Sequence, residues 1–387
     1  MAKKQLATLF ICSLVTWVIF QALITLLPVY AVRLGADPAL IGNYLAFSFA
    51  ALTAGTVISG WLSNKFQRRK AVLMAAAVLN IPATWLLAQT TTFWQLTALT
   101  ALILFLAGIG LGTITILAGL FAGESERGKI FGILAINLSL GALIAGVISG
   151  PIVERWSYAT LFMGAALCWV IQLFAALFLR DKAFVAPKPE VKAIAGTKAT
   201  LGGAFYLLLF ATFIAFACGF IATLGRPLQM DQLGFSPGAI SGVVAIGGAI
   251  SLPFPLLLGW LSDRIDRYRL VALCFLIGAV GLIAMAMSSS LWHFGIATIL
   301  LSGVGVSIGI SQALVIDLVP GEALAVALSR YGSAPTIGAV IGFPLIGYAI
   351  KAFGMNPTLI AGAVLTLIAI PLLFRVKYVE GRRLAEA

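Results

Sequence analysis

The chain has 387 residues, of which 61% are hydrophobic and only 10% are charged, and its net charge is +12. Soluble domains carry about 25% charged residues, so this composition excludes a soluble globular protein and indicates a bilayer protein. Only helices and closed barrels satisfy their backbone hydrogen bonds in lipid. The long apolar runs favour helices over the short alternating strands of a barrel. The basic residues lie in short loops between these runs, which is typical of cytoplasmic loops and argues against a nucleic-acid surface.

Apolar runs of about 20 residues, the length that crosses a ~30 Å hydrocarbon layer, predict twelve membrane spans. The first run is longer than the about 7–15 apolar residues of a signal peptide, so we retain it as a span. Polar residues 181–200 predict a cytoplasmic linker between an N-terminal bundle, 1–180, and a C-terminal bundle, 201–387. In chain order the spans are 6–30, 40–62, 71–88, 93–117, 130–153, 158–179, 201–224, 239–261, 270–287, 291–315, 331–350 and 358–374.

The distribution of basic residues predicts the orientation. With the N-terminus inside, only four of the 25 lysines and arginines fall in outer loops: Arg33, Arg155, Arg226 and Lys351. The opposite orientation would place 21 (25 − 4) of them outside, against the positive-inside rule. We therefore expect a multi-pass protein of the cell inner membrane with both termini in the cytoplasm.

A segment between the second and third spans recurs in the second half of the chain. Residues 60–70 (GWLSNKFQRRK) and 259–269 (GWLSDRIDRYR) start 199 positions apart (259 − 60), about half the chain length. Pro28 and Gly35 recur at the same spacing as Pro227 and Gly234. The repeat predicts two similar halves.

The repeated segment resembles the signature loop of the major facilitator superfamily, Gly-x-x-x-Asp-(Arg/Lys)-x-Gly-(Arg/Lys)-(Arg/Lys). The resemblance implies an all-α integral membrane fold, with twelve transmembrane helices in two pseudo-symmetric six-helix bundles. It also implies that the loops act as cytoplasmic latches that favour the outward-facing state; the alternative is that they are topology signals only. Asn64 replaces the acid of the first copy, which weakens that latch. The gating-loop residues are Gly60, Asn64, Arg68, Arg69, Gly259, Asp263 and Arg267.

The fifth span resembles part of a glycine pattern found in the superfamily's drug–proton antiporters. Gly146, Gly150 and Pro151 match, whereas the outer glycines are replaced by Asn137, Glu154 and Arg155. Such glycines allow close packing and bending at a gate. Leu106 stands where many proton-coupled relatives carry an arginine, so proton antiport and uncoupled movement both stay open.

Polar and aromatic residues at helical spacing predict a cavity lining. Ser13, Trp17, Gln21 and Thr25 recur every four residues and share one face of the first span. The resemblance implies that the first, fourth, seventh and tenth helices line the central cavity. For Gln21 and Asn137 the alternative is interhelical hydrogen bonding, worth about 0.6 kcal/mol per contact. The cavity candidates are Trp17, Phe20, Gln21, Asn137, Phe213 and Gln312.

Signals of enzyme chemistry are lacking in the sequence. His293 is the one histidine, and no metal-ligand, Ser/His/Asp or phosphate-loop spacing occurs, so we predict no catalytic residue, metal or cofactor. The four cysteines lie in apolar runs and predict free thiols. Asp317, just after the tenth span, is the candidate ionisable site; the alternative is a solvated helix end or an ion pair with a base such as Arg330.

These features predict a secondary active transporter and not an enzyme. The lack of midplane acids indicates a small neutral or amphipathic solute, moved by alternating access in the direction of efflux, with protons as a candidate coupling partner. One alternative is an uncoupled facilitator or lipid-type translocator. Another, from a different class, is a membrane sensor or enzyme. The expected state is a monomer in the lipid bilayer.

Overall fold

The computed structural model describes residues 3–121, 127–181, 201–262, 264–319 and 321–386, and in these ranges every regular element is an α-helix. Most of the predicted linker, from residue 182 to residue 200, lies outside the described residues. The thirteen helices of the described part are α1 (Lys3–Arg33), α2 (Pro38–Phe66), α3 (Arg69–Leu87), α4 (Phe93–Phe121), α5 (Arg127–Arg155), α6 (Tyr158–Leu177), α7 (Gly203–Gln232), α8 (Pro237–Ser251), α9 (Phe254–Ser262), α10 (Arg267–Ala286), α11 (Leu291–Leu318), α12 (Gly321–Phe353) and α13 (Met355–Glu386).

Eleven of these helices are long and apolar enough to cross a membrane, which confirms the all-α membrane fold. The eighth predicted span differs, because it is divided into α8 and α9. Pro253 has no backbone N–H to donate to the preceding turn, and its ring crowds that turn, which favours a break. The preceding Leu252 N–H turns to the Ala249 carbonyl at 3.4 Å, and α9 then begins at Phe254.

Short polar signals begin the helices, and they recur between the two halves. The Asp37 carboxylate accepts the Leu40 N–H at the start of α2, and the Ser236 hydroxyl accepts the Ala239 N–H at the start of α8. Each satisfies a donor that has no partner within its helix. The preceding glycines, Gly35 (φ +82°) and Gly234 (φ +79°), take the left-handed conformation that closes each turn. The 199-residue repeat is therefore visible in local geometry.

The chain forms two compact units. Unit 1 comprises residues 1–184 and 227–252, and unit 2 comprises residues 185–226 and 253–387. Helix α7 is shared, since its first part lies in unit 2 and its last residues in unit 1. The division into bundles 1–180 and 201–387 with a linker between them stays a prediction.

Each unit has its own buried core. In unit 1, the Trp169 indole is buried and donates to the Thr84 hydroxyl at 3.0 Å. In unit 2, Tyr331 is buried and its hydroxyl donates to Thr212 at 3.3 Å. Pairing these polar atoms avoids the cost of an unsatisfied group in an apolar interior.

Candidate functional site

The predicted polar face of α1 is half-buried in unit 1. Ser13 and Thr25 are buried, whereas Trp17 and Gln21 are partly exposed. The Thr25 hydroxyl donates to the Gln21 backbone carbonyl at 2.7 Å, so Thr25 is satisfied within its own helix. No described residue hydrogen-bonds the Gln21 side-chain amide. Of this face, Trp17 and Gln21 are the side chains available to another molecule.

Three aromatic rings form a chain from α1 to α2. Trp17 meets Phe20 edge-on with ring centroids 5.5 Å apart, and Phe20 meets Phe49 in the same way at 5.8 Å. Edge-to-face pairs of this kind are favourable and hold each ring in one orientation. The predicted residues Trp17 and Phe20 are thus brought together, and Phe49 is a neighbour that the sequence reasoning missed.

Asn137 joins α5 to α1. It is fully buried, and its side-chain N–H donates to the Phe10 carbonyl at 3.1 Å. Its carbonyl oxygen has no partner among the described residues. The hydrogen bond is the interhelical role considered for Asn137, and a place for this residue in a cavity stays a prediction. Gly141, one turn on, lets α5 approach closely, since a Cβ there would lie 2.9 Å from the Trp17 backbone.

The predicted fifth-helix gate residues face α8 within unit 1. A Cβ on Gly146 would lie 2.4 Å from the Ala245 nitrogen, and a Cβ on Gly150 would lie 2.3 Å from the Pro237 carbonyl oxygen. Both distances are shorter than real Cβ contacts. Glycine is therefore required at both positions for the helices to pack this closely. The sequence predicted close packing here but not that α8 is the partner.

Two hydrogen bonds also join α5 and α8 near the end of α5. The Gly150 N–H donates to the Ser241 hydroxyl at 3.1 Å. The Glu154 carboxylate accepts the Gly238 N–H at 2.7 Å, at the start of α8. A carboxylate is favourable there because the first N–H groups of a helix have no internal partner. Pro151 lies between these contacts within α5. Sequence reasoning missed Ser241, and no local signal in the chain pairs it with α5.

The candidates of unit 2 lie on different helices. Phe213 of α7 is partly exposed, and its ring is 3.9 Å from where a Cβ of Gly338 on α12 would be. Gln312 of α11 is exposed. Ser307, on the same helix, is buried and donates to the Val304 carbonyl at 2.7 Å. A shared role for Phe213 and Gln312 in lining a cavity stays a prediction.

The sequence predicts Arg226 in an outer loop. It lies instead within α7, which continues to Gln232. Its guanidinium donates to the Thr298 hydroxyl of α11 at 3.3 Å, and its Nε is buried without a hydrogen-bond partner among the described residues. The prediction ended the span at residue 224 because hydropathy falls at the charge, whereas the helix continues through it. A long arginine side chain can extend along a helix towards the interface.

The two signature loops carry the same cation–aromatic contact. The Lys65 ammonium lies 4.6 Å from the centroid of the Trp61 ring, and the Arg264 guanidinium lies 4.0 Å from that of Trp260. Such contacts are worth about 0.5–1 kcal/mol at exposed sites. Positions 61 and 260, like 65 and 264, are 199 apart, so the repeat extends to side-chain contacts.

Asp317 pairs with Arg267 of the second signature loop, at 2.6 Å. The expected partner Arg330 is elsewhere, since its guanidinium donates to the Tyr206 hydroxyl at 2.8 Å. The ion pair considered for Asp317 is present, but its base is Arg267 and not Arg330, because α10 lies against α11. The candidate site at Asp317 is thus an ion pair whose side chains are 48% (Asp317) and 31% (Arg267) exposed.

Asp266 ties the same loop to α13. Its carboxylate accepts the Arg269 N–H at 3.1 Å and pairs with Lys377 at 2.5 Å. The Lys377 hydrogen bond, together with the Arg269 N–H, holds the pKa of Asp266 below its ordinary value of 3.8. The second loop is therefore held by two ion pairs, one to α11 and one to α13.

The remaining gating residues are placed as follows. Gly60 lies in α2 with open space where a Cβ would be, and Gly259 lies in α9. Arg69, at the start of α3, is only 2% exposed. Asp263 and the side chain of Asn64 lie outside the described residues.

No group of histidine, cysteine, aspartate or glutamate side chains that could hold a metal ion occurs in the part of the chain that the structure describes. All four cysteines are unpaired, as predicted. His293 is exposed in the first turn of α11, where its backbone N–H is capped by Ser290.

Comparison with known proteins identifies relatives along the whole chain. The multidrug resistance protein MdtG of Klebsiella pneumoniae (strain 342) is 26% identical over 366 residues, which cover 90% of this chain and 87% of the relative. MdtG of Serratia proteamaculans (strain 568) is 26% identical over 396 residues, which cover 97% and 93%.

Solved transporters share the fold. A POT family transporter in complex with a thioalcohol-conjugated peptide aligns with a TM-score of 0.81 at 13% identity, over 97% of this chain and 96% of that one. The nucleoside transporter NupG aligns with a TM-score of 0.79 at 16% identity, over 97% and 99%. The Major Facilitator Superfamily profile matches residues 9–228 and 208–387. This chain belongs to the Major Facilitator Superfamily, and it is a multi-pass membrane transporter of small molecules and not an enzyme.

Proposed function

We propose that this protein exports small neutral or amphipathic molecules from the cell by alternating access. The observation that carries the proposal is the partly exposed pair Trp17 and Gln21 on α1, an aromatic ring beside an amide that no described residue bonds. A flat apolar surface with a single uncharged hydrogen-bonding group suits such molecules. The name of the MdtG relatives, multidrug resistance protein, supports the direction of transport.

The charge distribution supports an uncharged or weakly charged substrate. Within the described spans, each acidic residue lies next to the last residue of its helix: Glu154, Asp231 and Asp317. A strongly charged substrate at the membrane centre would need a desolvated partner of opposite charge. We expect the protein to act as a monomer in the inner membrane, with both termini in the cytoplasm.

Alternating access needs contacts that form in one state and open in another. We propose that the α5–α8 contact at Gly146 and Gly150 and the ion pair Arg267–Asp317 are two of these contacts. The two helices approach closely at the buried glycines, whereas the side chains of the ion pair are partly exposed. The signature loops, residues 60–70 and 259–269, would then bias the equilibrium from the cytoplasmic side.

The test is transport in proteoliposomes with a panel of probes: tetraphenylphosphonium, a neutral sugar and a lysophospholipid. We expect transport of at least one amphipathic probe, reduced at least ten-fold by Trp17→Ala or Gln21→Leu. Trp94→Ala is the matched control, because Trp94 is highly exposed on α4. Equal transport by wild-type protein, both variants and empty liposomes for every probe would contradict the proposal.

A second candidate is uncoupled facilitation of an amphipathic molecule. The observation that favours it is the absence of acids from the middle of the described spans, since a carboxylate there is a common proton carrier. The same proteoliposomes decide between the two. Antiport requires that an imposed pH gradient drives the probe and that an uncoupler abolishes the effect. Facilitation requires equal rates with and without the gradient.

A further inference from the structure

Unit 1 contains an apolar cavity of about 350 Å³ between α2, α3 and α4, at the end where α2 joins α3. Apart from Arg68, every lining residue is apolar. Its size is at the lower end of small-molecule sites, which are about 300–1,000 Å³. The lining includes Leu62, Phe66, Val72, Ala75 and Leu79.

The cavity is open at its side. Phe66 is 54% exposed and Leu79 is 55% exposed, while Leu106 and Ile109 form a buried back wall. In a membrane-spanning helix bundle, exposed apolar walls face lipid chains. The opening is therefore suited to a lipid chain, and Arg68 is the one charged residue of the lining.

Arg68 lacks the acid that its counterpart in the second half has. Its equivalent 199 positions on is Arg267, which pairs with Asp317 at 2.6 Å. The residue that corresponds to Asp317 (317 − 199) is Ala118, which is buried and carries no charge.

The other acids of the second loop are also lost from the first. Asp263 and Asp266 correspond to Asn64 and Gln67. One oxygen of the nearby Asp181 carboxylate accepts the Lys70 backbone N–H at 2.7 Å. Among the described residues, no carboxylate pairs with Arg68, which is exposed. The first signature loop thus keeps its basic residues, whereas Asn64, Gln67 and Ala118 stand where the second half has the acids Asp263, Asp266 and Asp317.

We propose that this cavity binds an anionic phospholipid, with its phosphate at Arg68 and part of one acyl chain along Phe66, Val72 and Leu79. Basic pockets between transmembrane helices at the cytoplasmic side suit anionic headgroups. Arginine binds phosphate with two parallel N–H donors. The apolar lining accepts the chain, and the arginine discriminates between headgroups. Lys65 is directed to Trp61, so Arg68 is the residue that selects the charge.

Lipid occupancy would also fix the α2–α3 junction, because the phosphate supplies the negative charge that Asp317 supplies to Arg267 in the second half. The lipid then replaces a missing side chain of the signature loop. This role depends on the geometry of unit 1 and not on the identity of the transported molecule.

Native mass spectrometry of the full-length protein in detergent tests the proposal. The probes are phosphatidylglycerol and phosphatidylcholine with identical acyl chains. We expect wild-type protein to bind phosphatidylglycerol about five-fold more tightly, the factor that corresponds to about 1 kcal/mol for one basic residue. Arg68→Gln should reduce this preference to none. Equal binding of both lipids by wild-type protein would overturn the proposal.

Two further variants separate the headgroup from the chain. Ala75→Phe fills the cavity from an exposed lining position and should weaken both lipids, whereas Val78→Phe, exposed on the same helix outside the lining, should change neither. Arg267→Gln removes an equal charge that is already paired and should keep the preference. Unchanged preference in Arg68→Gln, or loss of preference in Arg267→Gln alone, would refute the site.

Competition with a soluble anion shows whether Arg68 binds the phosphate of a lipid or a free phosphate compound. Glycerol phosphate in large excess should not displace phosphatidylglycerol, because it lacks the chain. Displacement at concentrations comparable to the lipid would mean that Arg68 binds a soluble anion, and the lipid assignment would be wrong. None of these measurements needs a transported substrate, so their failure is distinct from failure of the proposed export.

Discussion

Replacement of Gly150 with alanine tests the close contact between α5 and α8. A Cβ there would lie 2.3 Å from the Pro237 carbonyl oxygen and 2.2 Å from the Ser241 hydroxyl. Ordinary contact begins at 3.4 Å, so the helices must separate locally by about 1.1 Å (3.4 − 2.3). The carbonyl is backbone and cannot rotate away. Overpacking of this kind costs about 1–3 kcal/mol, equivalent to a shift of about 5–150-fold in an equilibrium.

Gly132→Ala is the matched control, because Gly132 lies on the same helix with open space around its Cβ position. Both substitutions gain up to about 1 kcal/mol of helix propensity, which cancels in their difference. The assay is the free energy of unfolding in mixed micelles, followed by circular dichroism as SDS is increased. We expect Gly150→Ala to be less stable than Gly132→Ala by about 1–3 kcal/mol. A difference under about 0.5 kcal/mol, the range of ordinary surface substitutions, would refute the packing argument.

Three further predictions concern the signature loops. A double-mutant cycle of Arg267→Gln and Asp317→Asn should give a coupling energy of about 0.2–1 kcal/mol in unfolding experiments, since the pair is partly exposed; a larger value would mean a drier pair. Because the folded-state pKa of Asp266 is lowered, its stabilising effect is present above pH 3.8 and is lost as the pH falls through the lowered value. Asp266→Asn should therefore reduce stability at pH 7, as should Lys377→Met, with a smaller difference from wild type below pH 3.8. Asn64→Asp should favour the outward-facing state, measured by labelling of cysteines introduced at either face; unchanged labelling would remove the latch.

The candidate site could be predicted only in part from the sequence. Helical spacing identified the α1 face, and the structure brings Trp17 beside Phe20. The glycine pattern indicated close packing at Gly146 and Gly150, because small residues are needed wherever two backbones approach. Neither pattern names the partner helix. Ser241 meets Gly150 across 91 positions, and nothing local in the chain signals that contact.

The fold class, eleven of the twelve predicted spans and the duplication were determined by the sequence alone. Hydropathy is a local property, and a run of about 20 apolar residues has few stable alternatives to a helix in lipid. Local chemistry also accounts for the capped turns at Asp37 and Ser236. Pro253 is the local signal for the break before α9, but the continuous apolar run around it predicted a single span.

The partners of the charged side chains were decided by the tertiary structure. Asp317 pairs with Arg267, 50 positions away, and not with the closer Arg330. Arg226 continues inside α7 beside Thr298, although the sequence placed it in a loop. Hydropathy reports how much a residue costs in lipid, but an ion pair or a buried donor depends on which helices lie side by side. That arrangement is set by side-chain packing between distant segments, which no local pattern encodes.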